Sequence, residues 1–176
     1  VYVARRLEDA DVYGAYAEKL RRIRQDLATV QRIPNPGMTT VYCGDARRLA
    51  TLVEGPIDYI ITSPPYPNEK DYTRITRLEL ILLGLVSEKG DLRQVKKDML
   101  RSHTRNIYMA DNDSVHVADV PEIQEIAQEI ERRRIERGAT SGFERLYHRV
   151  VTEYFGGMYR VFEQLQQVMP PGGRLA

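Results

Sequence analysis

The sequence predicts an α/β fold in which crossover helices link parallel strands, a helical insertion is added, and only part of the sheet is present. Three observations predict it. Ile57 to Ile61 is a short apolar run rich in β-branched and aromatic residues, cut off by Ser63-Pro64-Pro65-Tyr66. Thr39 to Cys43 reads as another strand, joined to the first by a short helix over 46–53 and the turn Glu54-Gly55-Pro56. A long apolar-faced pattern near the end runs through Pro170-Pro171-Gly172-Gly173 into Arg174-Leu175-Ala176, where a further parallel strand should start. Strand–helix–strand units with short links are right-handed and parallel. The strand ends at Gly44-Asp45 and at Ser63 should therefore share one edge of the sheet.

Taken in order, residues 1–38 form an N-terminal helical segment. Tyr13, Tyr16, Leu20, Ile23, Leu27 and Val30 repeat at three- and four-residue steps, predicting a helix over 6–32 with one packing stripe. Ile33-Pro34-Asn35-Pro36-Gly37 ends it. At the organising strand, neither Pro64 nor Pro65 can donate a ladder hydrogen bond, so pairing must stop at Ser63. Residues 74–86 are apolar nearly all round, which predicts a deeply buried helix. Residues 87–138 turn polar and read as a helical insertion. Pro121 suits the first turn of its last helix, and Gly138 suits the end. Ser141-Gly142-Phe143-Glu144 fits a capping box opening a helix to Met169. Gly156-Gly157 inside that helix implies either a close neighbour or a kink.

Bulk composition narrows the classes. The chain has 176 residues, 42% of them hydrophobic, enough for one domain with a real core. No apolar run approaches the ~20 residues of a membrane span and no signal peptide opens the chain, so the expected setting is cytoplasmic. Cys43 is the single cysteine, which excludes an internal disulfide framework, and His103, His116 and His148 show no metal-ligand spacing; no metal is expected. Net charge is +1, which marks no nucleic-acid binder by itself.

Ser63-Pro64-Pro65-Tyr66 resembles the catalytic motif of AdoMet-dependent amino-methyltransferases, whose form is Asp, Asn or Ser, then Pro-Pro, then Tyr or Phe. Gly44-Asp45-Ala46-Arg47 before it, and Pro67-Asn68 with Asp71-Tyr72 after it, resemble the N4-cytosine/N6-adenine DNA methylases of restriction–modification systems. The resemblance covers roughly residues 41–86 and resumes at Pro171-Gly172-Gly173-Arg174. It implies a partial Rossmann-like methyltransferase sheet, S-adenosyl-L-methionine as cofactor and double-stranded DNA as partner.

The resemblance also implies roles. An exocyclic amine is a poor nucleophile because its lone pair is delocalised into the ring. The Ser63 hydroxyl and Pro64 carbonyl would accept its N–H groups, and the Tyr66 ring would stack on a base flipped out of the duplex. Ser63 in place of Asp leans towards N4 of cytosine, with N6 of adenine or an RNA amine as alternatives. Gly44 and Asp45 would approach the cofactor's adenosine, although Asp45 fits equally well as the cap of the helix that follows. Asn68, Asp71 and Tyr72 would order the catalytic loop or touch DNA. Cys43 lacks the preceding proline of carbon-5 cytosine methylases and reads as a buried small hydrophobe.

One element of the family pattern is absent. The glycine loop that holds AdoMet, in a form such as Phe-x-Gly-x-Gly, occurs nowhere in the sequence. The chain opens on Val1 without an initiator methionine and stops at a strand start, so the cofactor-binding half is expected before it, after it or on a second chain. Alone, the chain is expected to be inactive. A non-catalytic subunit that keeps the fold as a scaffold is the reading from another class. Residues 87–138 are the expected DNA-facing region.

Overall fold

The computed structural model of the chain describes residues 11–34 and 37–176. They divide into two compact units, the first ending at Val41 and the second running from Tyr42 to Ala176. The first unit is built on helix α1, Val12–Val30, capped by Asp11, whose carboxylate accepts from the Gly14 N–H at 2.7 Å. The predicted residues 6–10 lie outside the described part. The residues of the predicted stripe lie on α1, but Tyr13, Tyr16, Leu20, Ile23, Leu27 and Val30 are all exposed, so among the described residues nothing packs on it as a core face.

The second unit is organised by α6, Tyr147–Val168. Its capping box forms as predicted: the Ser141 N–H donates to Glu144 Oε2 at 3.1 Å and the Glu144 N–H to Ser141 Oγ at 3.4 Å. A 3-10 turn, Glu144–Leu146, leads directly into the helix. Val150, Tyr154, Met158, Leu165 and Val168 are buried along it. A fully buried valine such as Val150 contributes about 1.5–3 kcal/mol by leaving water. The 3-10 turn Asp113–Val117 lies across α6, with Val117 buried. Helix α5, Pro121–Glu136, packs on α6 as well; it starts at Pro121 and is left through Gly138 at φ 61°.

Gly156-Gly157 causes no break. The helix is continuous, and a Cβ on Gly156 would sit 1.9 Å from the Asp113 carbonyl oxygen. Close approach of the 113–117 turn is therefore what the glycines permit. Buried Glu153 fixes that turn, its carboxylate accepting from the Ser114 N–H at 3.2 Å and the Ser114 hydroxyl at 3.1 Å.

The sheet is small. β1, Tyr59–Ile60, pairs in parallel with β2, Arg174–Leu175, with Tyr59 opposite Arg174. Flanking bonds lengthen the ladder: Ile57 N–H donates to the Val168 carbonyl at 2.8 Å and Thr62 N–H to the Ala176 carbonyl at 2.9 Å. The parallel strand expected at Arg174 is thus present, and pairing stops before Ser63.

Three expectations are corrected. Residues 39–43 form no strand: nothing among the described residues supplies a ladder for them, and Cys43, expected to be buried, is exposed. Residues 46–51 form a 3-10 turn in place of the predicted helix. The helix over 74–86 is two short ones, α2 (Tyr72–Ile75) and α3 (Arg77–Leu82). Gly84 at φ 68° ends α3, with the Leu85 N–H reaching back to the Leu80 carbonyl at 2.9 Å, a glycine-closed helix end. Its apolar side chains are not buried; Leu78, Leu82, Leu83 and Leu85 are exposed and only Val86 is enclosed. Between these elements and α5 lies α4, Lys89–Asp98.

Candidate active site

Ser63-Pro64-Pro65 emerges from the end of β1 into a cleft of about 460 Å³. Five pieces of chain enclose it. The turn Gly44–Arg47 and the segment Thr62–Pro65 form the polar rim. Asp98 to Leu100, Ser102 and Tyr72 close one side, and Met158, Val161, Phe162 and Leu165 form an apolar floor. Those four floor residues recur at i, i+3, i+4 and i+7 on α6, so one helical face supplies the whole surface. The strand end at Ser63 and the Gly44-Asp45 turn meet in one cleft, as the sequence implies, although no strand precedes Gly44.

Among the described residues, no group donates to the Pro64 carbonyl and none bonds to the Ser63 hydroxyl. Two hydrogen-bond acceptors at the rim are therefore open to an incoming N–H. Tyr66 lies beyond the cleft lining and is 61% exposed. The aromatic groups inside are Tyr72 and Phe162.

Residues after the motif hold the loop in shape. Asn68 takes the left-handed conformation at φ 56°, which asparagine tolerates better than most residues. Its N–H donates to the Ser102 carbonyl at 2.6 Å, tying the motif loop to the opposite wall. Asp71 caps α2, accepting from the Thr73 hydroxyl at 2.7 Å and the Arg74 N–H at 3.3 Å, and pairs with Lys96 at 3.4 Å. Burial pushes its pKa up, but the Thr73 bond and Lys96 outweigh this and hold it below the ordinary aspartate value.

Asp45 caps the turn 46–51. Its carboxylate accepts from the Arg47 backbone N–H at 2.9 Å and pairs with the Arg47 guanidinium at 2.7 Å. Arg47 in turn reaches Asp113 at 2.6 Å, and Asp113 accepts from Arg160 of α6, also at 2.6 Å. The result is a chain of alternating charge, Asp45–Arg47–Asp113–Arg160, beneath one wall of the cleft, with its central pair Arg47 and Asp113 buried. Burial raises the Asp113 pKa, while the bonds from Arg160 and Arg47 lower it further than burial raises it; Asp45 is lowered likewise, by Arg47. Both are carboxylates at neutral pH. A bond from the Ala50 N–H to Gln164 Oε1 at 3.1 Å fastens the same turn to α6.

Sequence reasoning missed Arg47, Asp113 and Arg160 as a group. Arg47 and Asp113 stand 66 residues apart, and nothing in their local patterns links them. Among the described residues no group of three His, Cys, Asp or Glu side chains is placed to hold a metal ion, and no helix is long and apolar enough to cross a membrane.

The chain is 27% identical over 174 residues to the Type II methyltransferase M.BsoBI of Geobacillus stearothermophilus, an alignment covering 89% of this chain and 34% of the relative. The chain is similar to Type II methyltransferases. A shorter stretch of 49 residues is 55% identical to the Type II methyltransferase M.AvaI of Nostoc sp., and equally to that of Anabaena variabilis, covering 28% of this chain and 10% of each relative. This chain thus spans about a third of the length of M.BsoBI. No family model matches it. No solved structure matches it.

Proposed function

We propose that this chain is the catalytic half of an AdoMet-dependent DNA amino-methyltransferase acting on a flipped base, with N4 of cytosine as the target. The observation that carries the proposal is the open pair of acceptors, Ser63 Oγ and the Pro64 carbonyl, at the rim of an apolar-floored cleft. Similarity to Type II methyltransferases over most of the chain supports it. β1 and β2 are then neighbouring strands of a Rossmann-like sheet, with the site at their carboxyl ends, where open α/β sheets place ligands.

The chemistry follows from the rim. An amine N–H that donates to Ser63 Oγ and to the Pro64 carbonyl is polarised, and its lone pair is drawn out of conjugation with the ring. Both acceptors sit on a segment made stiff by two prolines and pinned by the Thr62 ladder bond, so they need little reorganisation when charge develops. The Tyr66 ring, exposed just past the prolines, is the surface on which the base stacks. Asn68, Asp71 and Tyr72 hold that loop against α4 and Ser102. Duplex DNA supplies the base after flipping.

Bound AdoMet would supply an electrophilic methyl group to the amine nitrogen; the C–S electron pair would leave with S-adenosylhomocysteine and the displaced amine proton would pass to water, with no covalent enzyme–base bond. The residues present fit part of it: a flat apolar floor suits an adenine ring, and the Gly44-Asp45 turn lies on the same rim. Asp45 is already engaged by Arg47, so the turn offers a carboxylate–guanidinium pair. The glycine loop of the family is then supplied by a further segment or a second chain.

The test uses the full-length protein with duplex DNA and AdoMet, followed by nucleoside mass spectrometry. N4-methylcytosine should accumulate. Ser63→Ala should lower the transfer rate about a hundredfold, the usual cost of removing one group that stabilises the transition state, and Tyr66→Ala should lower it about tenfold or more, the cost of one base-stacking surface. Wild-type turnover in both variants would overturn the assignment. N6-methyladenine in place of N4-methylcytosine would overturn the choice of base alone.

A further inference from the structure

A second cleft, of about 640 Å³, opens between α3, α4 and the segment around Arg105, away from the Ser63 cleft. Its charge is one-sided. Arg77, Lys89, Arg93, Lys96 and Arg105 line it, and the single lining carboxylate is Glu88. Lys89, Arg93 and Lys96 fall at steps of four and three on α4, so they form one stripe facing the groove. Arg77 opposes that stripe from α3. Asp71 offsets Lys96 at 3.4 Å and Arg105 at 3.9 Å. Arg77, Lys89 and Arg93 are exposed and have no ion-pair partner among the described residues.

The two clefts are joined by α4. Lys96 lines the basic groove and also a small hollow shared with Tyr72, Met99 and Ser102, which in turn line the Ser63 cleft. The ten residues of α4 span roughly 15 Å at about 1.5 Å per residue. A nucleic-acid strand advances about 3.4 Å per phosphate, so roughly four phosphates separate the far end of the stripe from the cleft.

We propose that this groove is where the DNA backbone lies, with Arg77, Lys89 and Arg93 each neutralising a phosphate on the strand whose base enters the Ser63 cleft. The proposal rests on the functional reading above and names the surface that holds the substrate in register. Such contacts position the duplex and read no sequence. Charge complementarity selects the occupant, because three cations without ion-pair partners among the described residues, Lys89 and Arg93 on α4 and Arg77 facing them from α3, outweigh the one lining carboxylate, Glu88, and favour a polyanion. Arg105 and Lys96, already turned towards Asp71, hold the loop after the motif and are not counted among the phosphate contacts.

The experiment measures the binding of a fluorescent 20-base-pair DNA to the full-length protein across a salt series, with no methyl transfer needed. Each lost phosphate contact should lower the slope of log affinity against log salt by about 0.9. The triple variant Arg77→Gln, Lys89→Gln, Arg93→Gln should therefore lose about 2.7 from the slope and bind at least about tenfold more weakly at low salt. Lys89→Arg alone should keep the wild-type slope. Arg137→Gln, an exposed cation at the end of α5, should also leave it unchanged. An unaltered slope in the triple variant, with its circular dichroism and melting like the wild type, would overturn the proposal while leaving the Ser63 reading intact. Equal loss in Arg137→Gln would overturn it too, as would preference for double-stranded RNA or polyglutamate of matched charge. Absence of any DNA binding by the wild-type protein would overturn both this inference and the functional reading.

Discussion

Gly156→Ala is the sharpest test of how the second unit is packed. The new methyl group would lie 1.9 Å from the Asp113 carbonyl oxygen and 2.9 Å from the Ser114 nitrogen, both backbone atoms that cannot rotate away. The 113–117 turn must lift from α6. Doing so strains the bonds from Ser114 to Glu153 and the pairing of Asp113 with Arg47 and Arg160. Overpacking of this kind costs about 1–3 kcal/mol, and backbone opposition puts it at the upper end. Alanine in a helix returns about 1 kcal/mol relative to glycine. The net expectation is a loss of about 2 kcal/mol. Gly157→Ala is the built-in comparison: its methyl group meets Leu100 Cδ1 at 2.4 Å, the end of a flexible side chain, and Asp113 Oδ2 at 3.2 Å. Leu100 can turn aside, so that variant should change stability by less than about 1 kcal/mol. Urea unfolding followed by far-ultraviolet circular dichroism separates the two. A Gly156→Ala protein as stable as the wild type would show that the turn does not press on α6 as described.

Further outcomes follow from the buried charges and from the single thiol. Asp113 and Asp45 are held below the ordinary aspartate pKa, so their contribution to stability is complete above about pH 4 and is lost as acid protonates the folded state. Stability should therefore fall steeply below that range, and Asp113→Asn should flatten the fall; parallel pH curves for variant and wild type would refute the linkage. At pH 7 the same variant should lose about 2 kcal/mol, less than a fully buried pair would, because Arg47 keeps Asp45 as a partner and Arg160 is partly exposed. Cys43 is exposed, so a thiol reagent should label it in the native protein. Cys43→Ser should transfer methyl groups at the wild-type rate, and loss of activity there would reopen cysteine-based chemistry.

The parts of the fold legible from sequence are those set by local chemistry. Two prolines stop a strand wherever it sits, and β1 pairing ends before Ser63 for that reason. Ser141 and Glu144 cap a helix through bonds within four residues. Pro121 and Gly138 bracket α5 in the same way. What was not legible depends on partners distant in the chain. The apolar content of residues 74–86 suggested burial, yet Gly84 closes α3 early and the leucines stay exposed. Thr39–Cys43 has strand-like composition, but composition supplies no ladder. The Asp45–Arg47–Asp113–Arg160 chain joins residues from three segments. Only Asp45 stands out locally, as a cap; nothing near Arg47, Asp113 or Arg160 in sequence points to the other members. At the site, the rim acceptors were legible from the motif, while the α6 floor was hidden inside an ordinary amphipathic pattern.

The pairing of β1 with β2 has a consequence for how the protein assembles. The two strands stand about 115 residues apart, and all of α2 to α6 lies between them. Closing a flexible loop of that length costs on the order of 4 kcal/mol of chain entropy, about what the four ladder bonds return together at about 1 kcal/mol each. The strand pair therefore gains little by forming on its own, and contacts so distant in sequence are expected to form late, after the helices between them have shortened the loop. Ser63 stands directly after the Thr62–Ala176 bond that completes the ladder. The Ser63-Pro64-Pro65 turn is then expected to order only once the rest of the unit has folded, so that an incompletely folded chain does not yet carry the two rim acceptors in place.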